Sequence, residues 1–198
     1  MRHMGMSLAA ICLCLAIAGS TMAEPYTIDP AHTQITFKVK HLGITNVSGS
    51  FGIFSGNFEF DPKAFEKGTA SATIDVSSIN TGVEQRDNHL RSADFFDVEK
   101  HPKMTFKSTK IQGIEGSSFE LVGDLTIRGV TKPVTLEVDF DGTATDPFGN
   151  EKAAFTASTT INRKDFGMTW NKALEAGGLL VSDEVRILLE VQGNKVKG

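Results

Sequence analysis

The sequence predicts an all-β fold, a barrel or a sandwich, built from about eight or nine antiparallel strands. Apolar and polar residues alternate at period two far more often than apolar residues recur at helical spacing. Turn-forming pairs such as Asp61-Pro62 and Asp141-Gly142 separate the alternating segments. Fourteen phenylalanines stand against one tyrosine and one tryptophan. Buried apolar surface, rather than a set of reactive side chains, therefore dominates this chain.

Residues 1–23 have the composition of a cleaved secretory signal peptide. Arg2 gives a positive start, residues 6–18 form an apolar run too short to span a bilayer, and Ala23 provides the small residue suited to signal peptidase. We expect the mature protein to begin at Glu24.

The mature chain, residues 24–198, is expected to form a single domain without a thiol. Cys12 and Cys14 both lie in the predicted signal, so disulfides, a cysteine nucleophile and a cysteine metal site are not expected. Loss of Arg2 changes the net charge from −4 to −5, and no basic patch indicates nucleic acid. No second apolar run of about 20 residues follows, so no transmembrane segment is predicted in the mature chain.

Nine segments are predicted as strands. In the first, Ile35, Phe37 and Val39 share one face while Thr36 and Lys38 take the other. The remaining segments are residues 47–53, 57–60, 70–76, 104–108, 119–127, 134–140, 153–161 and 185–191. This number of strands is in the range where a barrel encloses one small ligand.

One helix is predicted, beginning with Thr81 as N-cap and Glu84 three residues later in a capping box, and ending at Leu90. A second helical turn is expected at residues 94–97. The apolar face of the first helix is weak, chiefly Val83 and Leu90, so we hypothesise a mobile lid over one open end.

Two features favour a hollow interior. Small residues alternate with bulky ones on the same strand face, as with Gly49 and Phe51, or Ala72 and Ile74. Phe95 and Phe96 are adjacent in a charged segment. The alternative is that these side chains simply fill a core, and composition alone does not separate the two.

Motifs for catalysis or metal binding were not found. The four histidines of the mature chain have no flanking cysteine and no partner at i, i+4 spacing, so a metal site is not expected. No Gly-x-Ser-x-Gly elbow or phosphate-binding glycine loop occurs. Asp94 and Asp97 fit solvated or capping groups better than an acid–base pair. We therefore expect a protein that is not an enzyme and needs no cofactor.

The order of several blocks closely resembles the YceI-like polyisoprenoid-binding family over essentially the whole mature chain. The blocks are residues 26–29 with His32, 37–41, 47–51, 79–81, 89–97, 123–131, 162–167 and 182–185. The resemblance implies a lipocalin-like antiparallel β-barrel of about eight strands with one or two short helices, exported to the periplasm. It also implies a long apolar cavity that binds a polyisoprenoid chain, of an isoprenoid quinone or an isoprenoid lipid, and carries it without catalysis.

Strand lengths suit such a ligand, because strands of eight to ten residues are roughly 26–33 Å long and line an elongated slot. We predict that the cavity is lined by apolar residues of the alternating strands, with four further aromatic residues nearer a mouth. The lining residues are Phe37, Val39, Phe51, Ile53, Ile74, Phe106, Phe119, Leu125, Ile127, Leu136 and Val138, and those nearer the mouth are Phe95, Phe96, Phe166 and Trp170.

Three cations, His89, Arg91 and Arg163, are candidates for a polar mouth. The alternative is that they hold the connecting loops through ion pairs with Asp94, Asp97 and Asp165. Two other functions stay open: an enzyme acting on an isoprenoid or other small apolar molecule, and a stress-related module that binds a membrane cytochrome or another protein. A homodimer is plausible from the barrel class, although the sequence indicates no interface.

Overall fold

The computed structural model describes residues 23–173 and 179–197. The predicted signal peptide, apart from Ala23, lies outside the described residues. The strands are β1 (Glu24–Ile28), β2 (Gln34–His41), β3 (Thr45–Phe51), β4 (Phe54–Phe60), β5 (Thr69–Asp75), β6 (Ile79–Asn80), β7 (Lys103–Glu115), β8 (Ser118–Ile127), β9 (Val130–Thr145), β10 (Glu151–Asn162) and β11 (Val181–Lys195). One α-helix, α1 (Glu84–Arg91), and three 3-10 helices, Phe65–Lys67, Val76–Ser78 and Arg163–Phe166, complete the described elements.

The sheet closes into an antiparallel barrel. Eight strands follow one another around it in the order β1, β4, β5, β7, β8, β9, β10 and β11, and β11 pairs back onto β1. The other three strands lengthen this ring, because β2 pairs with β11 and β3, and β6 pairs with β3. The predicted antiparallel barrel of about eight strands is therefore confirmed.

Each predicted strand overlaps an observed one, with small differences at the ends. The segment 47–53 is interrupted, because Gly52 and Ile53 lie between β3 and β4. Strand β1 was not predicted from the sequence. It has only five residues, and Pro25 breaks its pattern of strand-forming residues.

The predicted capping box is wrong. Helix α1 begins at Glu84, and its N-cap, Val83, makes no side-chain capping bond. The hydroxyl and the backbone amide of Thr81 instead donate to Oδ1 of Asp87, the latter at 2.9 Å. The expected second helical turn is also absent, because residues 94–97 form hydrogen-bonded turns in which Asp97 has a φ of 51°.

None of the helices in the described ranges has the length and apolar character needed to cross a bilayer.

An aromatic cluster fills one end of the barrel, and we call it the aromatic plug. Its members are Tyr26, Phe58, Phe60, Phe65, Phe140 and Phe155. Tyr26 stacks on Phe58 with ring centroids 5.0 Å apart, and Phe60 contacts Phe140 and Phe155 at 4.8 and 4.9 Å. These separations are typical of favourable aromatic pairs.

A glycine accommodates one of these rings. A Cβ added to Gly193 of β11 would overlap the ring of Phe58 and lie 3.2 Å from Cβ of Tyr26. The stacked Tyr26 leaves the Phe58 ring little freedom to move, so this position requires glycine for close approach.

We predict that Gly193→Ala lowers the free energy of unfolding by about 1–3 kcal/mol, because it overpacks the aromatic plug. Gly52→Ala is the matched control, since no atom lies within 4 Å of a Cβ built there, and it should change stability by less than about 0.5 kcal/mol. Denaturant unfolding measures both. Equal effects of the two substitutions would contradict the packing described here.

Candidate ligand cavity

The interior of the barrel contains two chambers. The upper chamber, with a volume of about 200 Å³, lies beneath α1 and the following turn, where Leu90, Phe95 and Phe96 form part of its wall. The lower chamber, about 130 Å³, is bounded by Phe58, Phe60 and Phe65 of the aromatic plug. Together they reach the lower end of the range, about 300–1,000 Å³, that small-molecule sites occupy.

The two chambers share a boundary formed by Ala72, Phe106, Leu136 and Leu189, each of which lines both. Phe106 is the largest of these side chains. A Cβ on Gly123 of the neighbouring strand would lie 2.5 Å from Cζ of Phe106. The ring therefore lies flat against the β8 backbone, which keeps its bulk at the wall of the barrel.

Most of the predicted lining residues lie in the chamber walls. The upper chamber is lined by Phe37, Val39, Phe51, Ile74, Phe95, Phe96, Leu125 and Ile127, the lower one by Phe119 and Val138, and Phe106 and Leu136 line both. The structure thus brings twelve of the fifteen predicted side chains together, and their contact with a ligand stays a prediction.

Three of the fifteen residues line neither chamber: Ile53, which was predicted in the wall, and Phe166 and Trp170, which were predicted nearer a mouth. Ile53 is 60% exposed, because it falls at the interruption between β3 and β4. Phe166 is only 1% exposed, but it lines an outer groove and packs into the apolar core beside the upper chamber. Trp170 packs against Phe95 of the chamber wall and against His89, with ring centroids 5.2 and 4.8 Å apart, respectively.

Arg163 is the one predicted mouth residue that lines the upper chamber, and it is 3% exposed. Its guanidinium donates to the carbonyl oxygens of Met168, Trp170 and Ser182 at 2.6, 2.8 and 2.9 Å. It also donates to Asp183 at 3.2 Å, and not to the expected Asp165. Burial lowers the pKa of Arg163, and the nearby Asp183 carboxylate opposes that change.

His89 and Arg91 do not line either chamber, and the structure favours their alternative, structural role. Arg91 donates to the carbonyl oxygens of Ser77 and Ile79, each at 2.9 Å, and so ties α1 to the preceding loop. Nε2 of His89 lies 2.9 Å from Asp94, as the ion-pair alternative expects. Asp97 instead pairs with Lys100 at 3.1 Å.

Sequence reasoning missed several wall residues. They include Ile35, Met104, Ile161, Ile187 and Leu189 of the walls and Phe58, Phe60, Phe65 and Phe155 at the plug. Most of them occupy alternate positions of strands that the sequence predicts, so the same period-two pattern could have identified them. Phe65 lies in a 3-10 helix, where that pattern carries no information.

The upper chamber has little reactive chemistry. Arg163 is the only charged side chain among its described lining residues, and its donors are engaged by the backbone and by Asp183. In the described ranges, no three histidine, cysteine, aspartate or glutamate side chains are grouped so as to hold a metal ion. The remaining walls offer almost entirely hydrocarbon surface.

A closed eight-stranded, up-and-down barrel with an apolar interior belongs to the lipocalin-like class of β-barrels. The chain belongs to the YceI-like family, because residues 26–193 match the YceI-like domain. A UPF0312 protein of Pectobacterium carotovorum is 40% identical over 194 residues, which cover 97% of each chain.

Solved structures share the fold. The crystal structure of Burkholderia cenocepacia BcnA aligns with a TM-score of 0.74 and 27% identity, over 83% of this chain and 98% of that one. A polyisoprenoid binding domain from Saccharophagus degradans, implicated in plant cell wall breakdown, aligns with a TM-score of 0.65 over 89% of this chain and 100% of its own. At 15% identity, that second likeness shows the fold alone.

We predict that Arg163→Met lowers the free energy of unfolding by about 3–5 kcal/mol, because it leaves buried carbonyls and Asp183 without their donor. Arg163→Lys should recover part of the loss by keeping the charge. Lys164→Met is the control, since Lys164 is 42% exposed in its pair with Asp183 and should contribute at most about 1 kcal/mol. Unchanged stability with weakened ligand binding would instead assign Arg163 to a ligand head group.

Proposed function

We propose that this protein is a periplasmic carrier that holds a long polyisoprenoid chain, of an isoprenoid quinone or an isoprenoid lipid, inside the barrel. The observation that carries the proposal is the pair of adjoining apolar chambers along the barrel interior. The polyisoprenoid-binding domain with the same fold adds support. The signal-like residues 1–23 support export to the periplasm.

Energetics favour a long chain over a short one. Each methylene transferred from water to an apolar wall contributes about 0.8 kcal/mol, so a five-carbon isoprenoid unit contributes at most about 4 kcal/mol. Association costs roughly 4–15 kcal/mol in lost freedom of motion. Several units must therefore be buried before binding becomes tight, and selectivity should follow chain length more than the head group.

The lining supports binding over catalysis. An enzyme needs a titratable group beside the reacting atom, whereas the described lining of the upper chamber contains no carboxylate, imidazole or thiol. Its one charged group, Arg163, is held by four hydrogen bonds.

Native mass spectrometry of the mature protein, purified without detergent, tests the proposal directly. We expect a mass increment from a co-purified apolar ligand, and lipid extraction should identify an isoprenoid. Protein without ligand should bind an added isoprenoid quinone. Recovery of no apolar ligand, together with failure to bind the added quinone, would contradict the proposal.

We further predict that Ala72→Phe separates the two chambers. Ala72 lies at their shared boundary, so a ring there should exclude a long tail from one chamber. The Kd of a long-tailed quinone should rise at least about tenfold, since the loss of only two buried methylenes costs about 1.6 kcal/mol. Quenching of Trp170 fluorescence, which lies against Phe95 of the wall, measures the affinity.

Two comparisons control this experiment. A short-tailed quinone that fits one chamber should bind Ala72→Phe almost as well as the unchanged protein. Thr73→Phe alters the neighbouring residue of β5, which lines neither chamber, and should leave both affinities unchanged. Equal weakening of the long-tailed and short-tailed quinones by Ala72→Phe would contradict a ligand that spans both chambers.

A further inference from the structure

The wall of the barrel is interrupted between β9 and β10. Their antiparallel pairing runs from the Glu151–Thr145 pair to the Ser158–Glu137 pair and then stops. Beyond that point, residues 130–136 pair only with β8 and residues 159–162 only with β11, among the strand pairs of the described ranges. Residues 130–136 of β9 and 159–162 of β10 therefore have no backbone ladder between them.

A groove with a volume of about 310 Å³ occupies the gap on the outer surface, and we call it the lateral groove. It is formed by residues 132–135 of β9, residues 159–162 of β10, and Asp165 and Phe166. Pro133 lies on its β9 edge. Because proline has no backbone N–H to donate to a neighbouring strand, it suits an unpaired edge.

The lateral groove adjoins the upper chamber. Val134, Thr159 and Ile161 line both spaces, and no other residues do. Where two strands are paired, as β8 and β9 are, a chain passing between them would have to break backbone hydrogen bonds. Across this gap it would only have to displace three side chains, and such rotamer changes are fast.

A 3-10 helix lies at the end of the gap. The 3-10 helix Arg163–Phe166 follows β10 directly and packs against both β9 and β11. Phe166 is almost fully buried in the same apolar cluster as Ile127, Val130 and Val134, and it lines the lateral groove. Gly167, with a φ of 77°, ends this helix in a left-handed turn.

The other ways into the upper chamber pass groups that hold the fold. Arg163, which lines the upper chamber, donates to three backbone carbonyls, and Arg91 ties α1 to the loop before it. The opposite end of the barrel is filled by the aromatic plug. Across the gap, no strand pairing of the described residues has to be broken.

We propose that the gap between β9 and β10 is a lateral port, through which the apolar chain of an amphiphile enters and leaves the upper chamber while its polar end stays in the lateral groove. This inference rests on the proposed function. The groove offers the hydroxyls of Thr135 and Thr160, the amide of Asn162, and the opposite charges of Lys132 and Asp165. Such a mixed set suits a neutral polar end that donates or accepts hydrogen bonds, rather than a phosphate.

A removable bridge across the gap tests the port. Thr135→Cys and Thr160→Cys, in protein free of Cys12 and Cys14, would be joined by a bis-maleimide linker that contains a cleavable disulfide. Both threonines are exposed and line only the outer groove. The probe is all-trans-retinol, an isoprenoid alcohol with a neutral polar end whose fluorescence increases in apolar surroundings, and stopped-flow fluorescence measures its uptake and release.

We expect the bridge to slow uptake and release together, each by at least about tenfold, with a much smaller change in Kd, because a steric gate acts on both directions of passage. A reductant that cleaves the linker should restore both rates. Thr73→Cys with Thr105→Cys is the matched control, since these residues pair across the intact β5–β7 wall and the same bridge there should change neither rate. If the bridged pair does not fold, a bulky polyethylene glycol maleimide on Thr160→Cys alone replaces it.

Three outcomes would overturn the port. Unchanged rates across a complete bridge would do so directly. Slowing by a polyethylene glycol maleimide on Gln85→Cys of α1, without slowing at the gap, would place access beneath the helix. A failure of the unbridged protein to take up both retinol and an added isoprenoid quinone would overturn the proposed function, and the port with it.

Discussion

Closure of the sheet through β11 is the constraint on which the rest of the structure depends. One edge of β11 pairs with β10 along eleven residues, and its other edge pairs with β2 near its start and with β1 near its end. Closure removes the free strand edges that an open sheet would expose and encloses the apolar face of every strand. Lys195 reinforces the junction, because its ammonium contacts Glu24 of β1 and Glu151 of β10, and these carboxylates raise its pKa.

Closure alone does not ensure a cavity, because the interior of an eight-stranded barrel is narrow enough for side chains to fill it. Glycines opposite phenylalanines provide the remaining room. Gly49 lies under the ring of Phe37 and Gly123 under that of Phe106, so these rings lie close to the backbone of the wall. Where rings are not placed in this way, as in the contacts of Phe60 with Phe140 and Phe155, the interior is filled. A glycine alone does not make the interior hollow, because Gly193 accommodates Phe58 within the filled aromatic plug.

The features that the sequence predicts best are those with a local cause. Alternation at period two identified strands such as β8 and most of the lining, because each strand shows one face to the interior regardless of its neighbours. Ile53 was wrongly predicted in the cavity wall. The alternation in the sequence continues through Ile53, but the strand is interrupted there, because β3 pairs with β6 and β4 pairs with β5. The partner of Arg163 was missed because Asp183 lies twenty residues away and is brought close only by the pairing of β10 with β11.

The gap between β9 and β10 could not be predicted from local sequence patterns either. Its position depends on where the pairing of the two strands ends, and not on a pattern within either strand. Pro133 was its only local indication.

The lateral groove and the upper chamber are connected by one element. The 3-10 helix begins at Arg163, which lines the upper chamber, and ends at Phe166, which lines the groove. Arg163 donates to the backbone carbonyls of Met168, Trp170 and Ser182 beside the upper chamber, and Phe166 lines the lateral groove. The four-residue helix therefore lies between the upper chamber and the proposed port, while the aromatic plug fills the opposite end of the barrel. A barrel built this way can exchange an apolar chain at one end without loosening the core at the other.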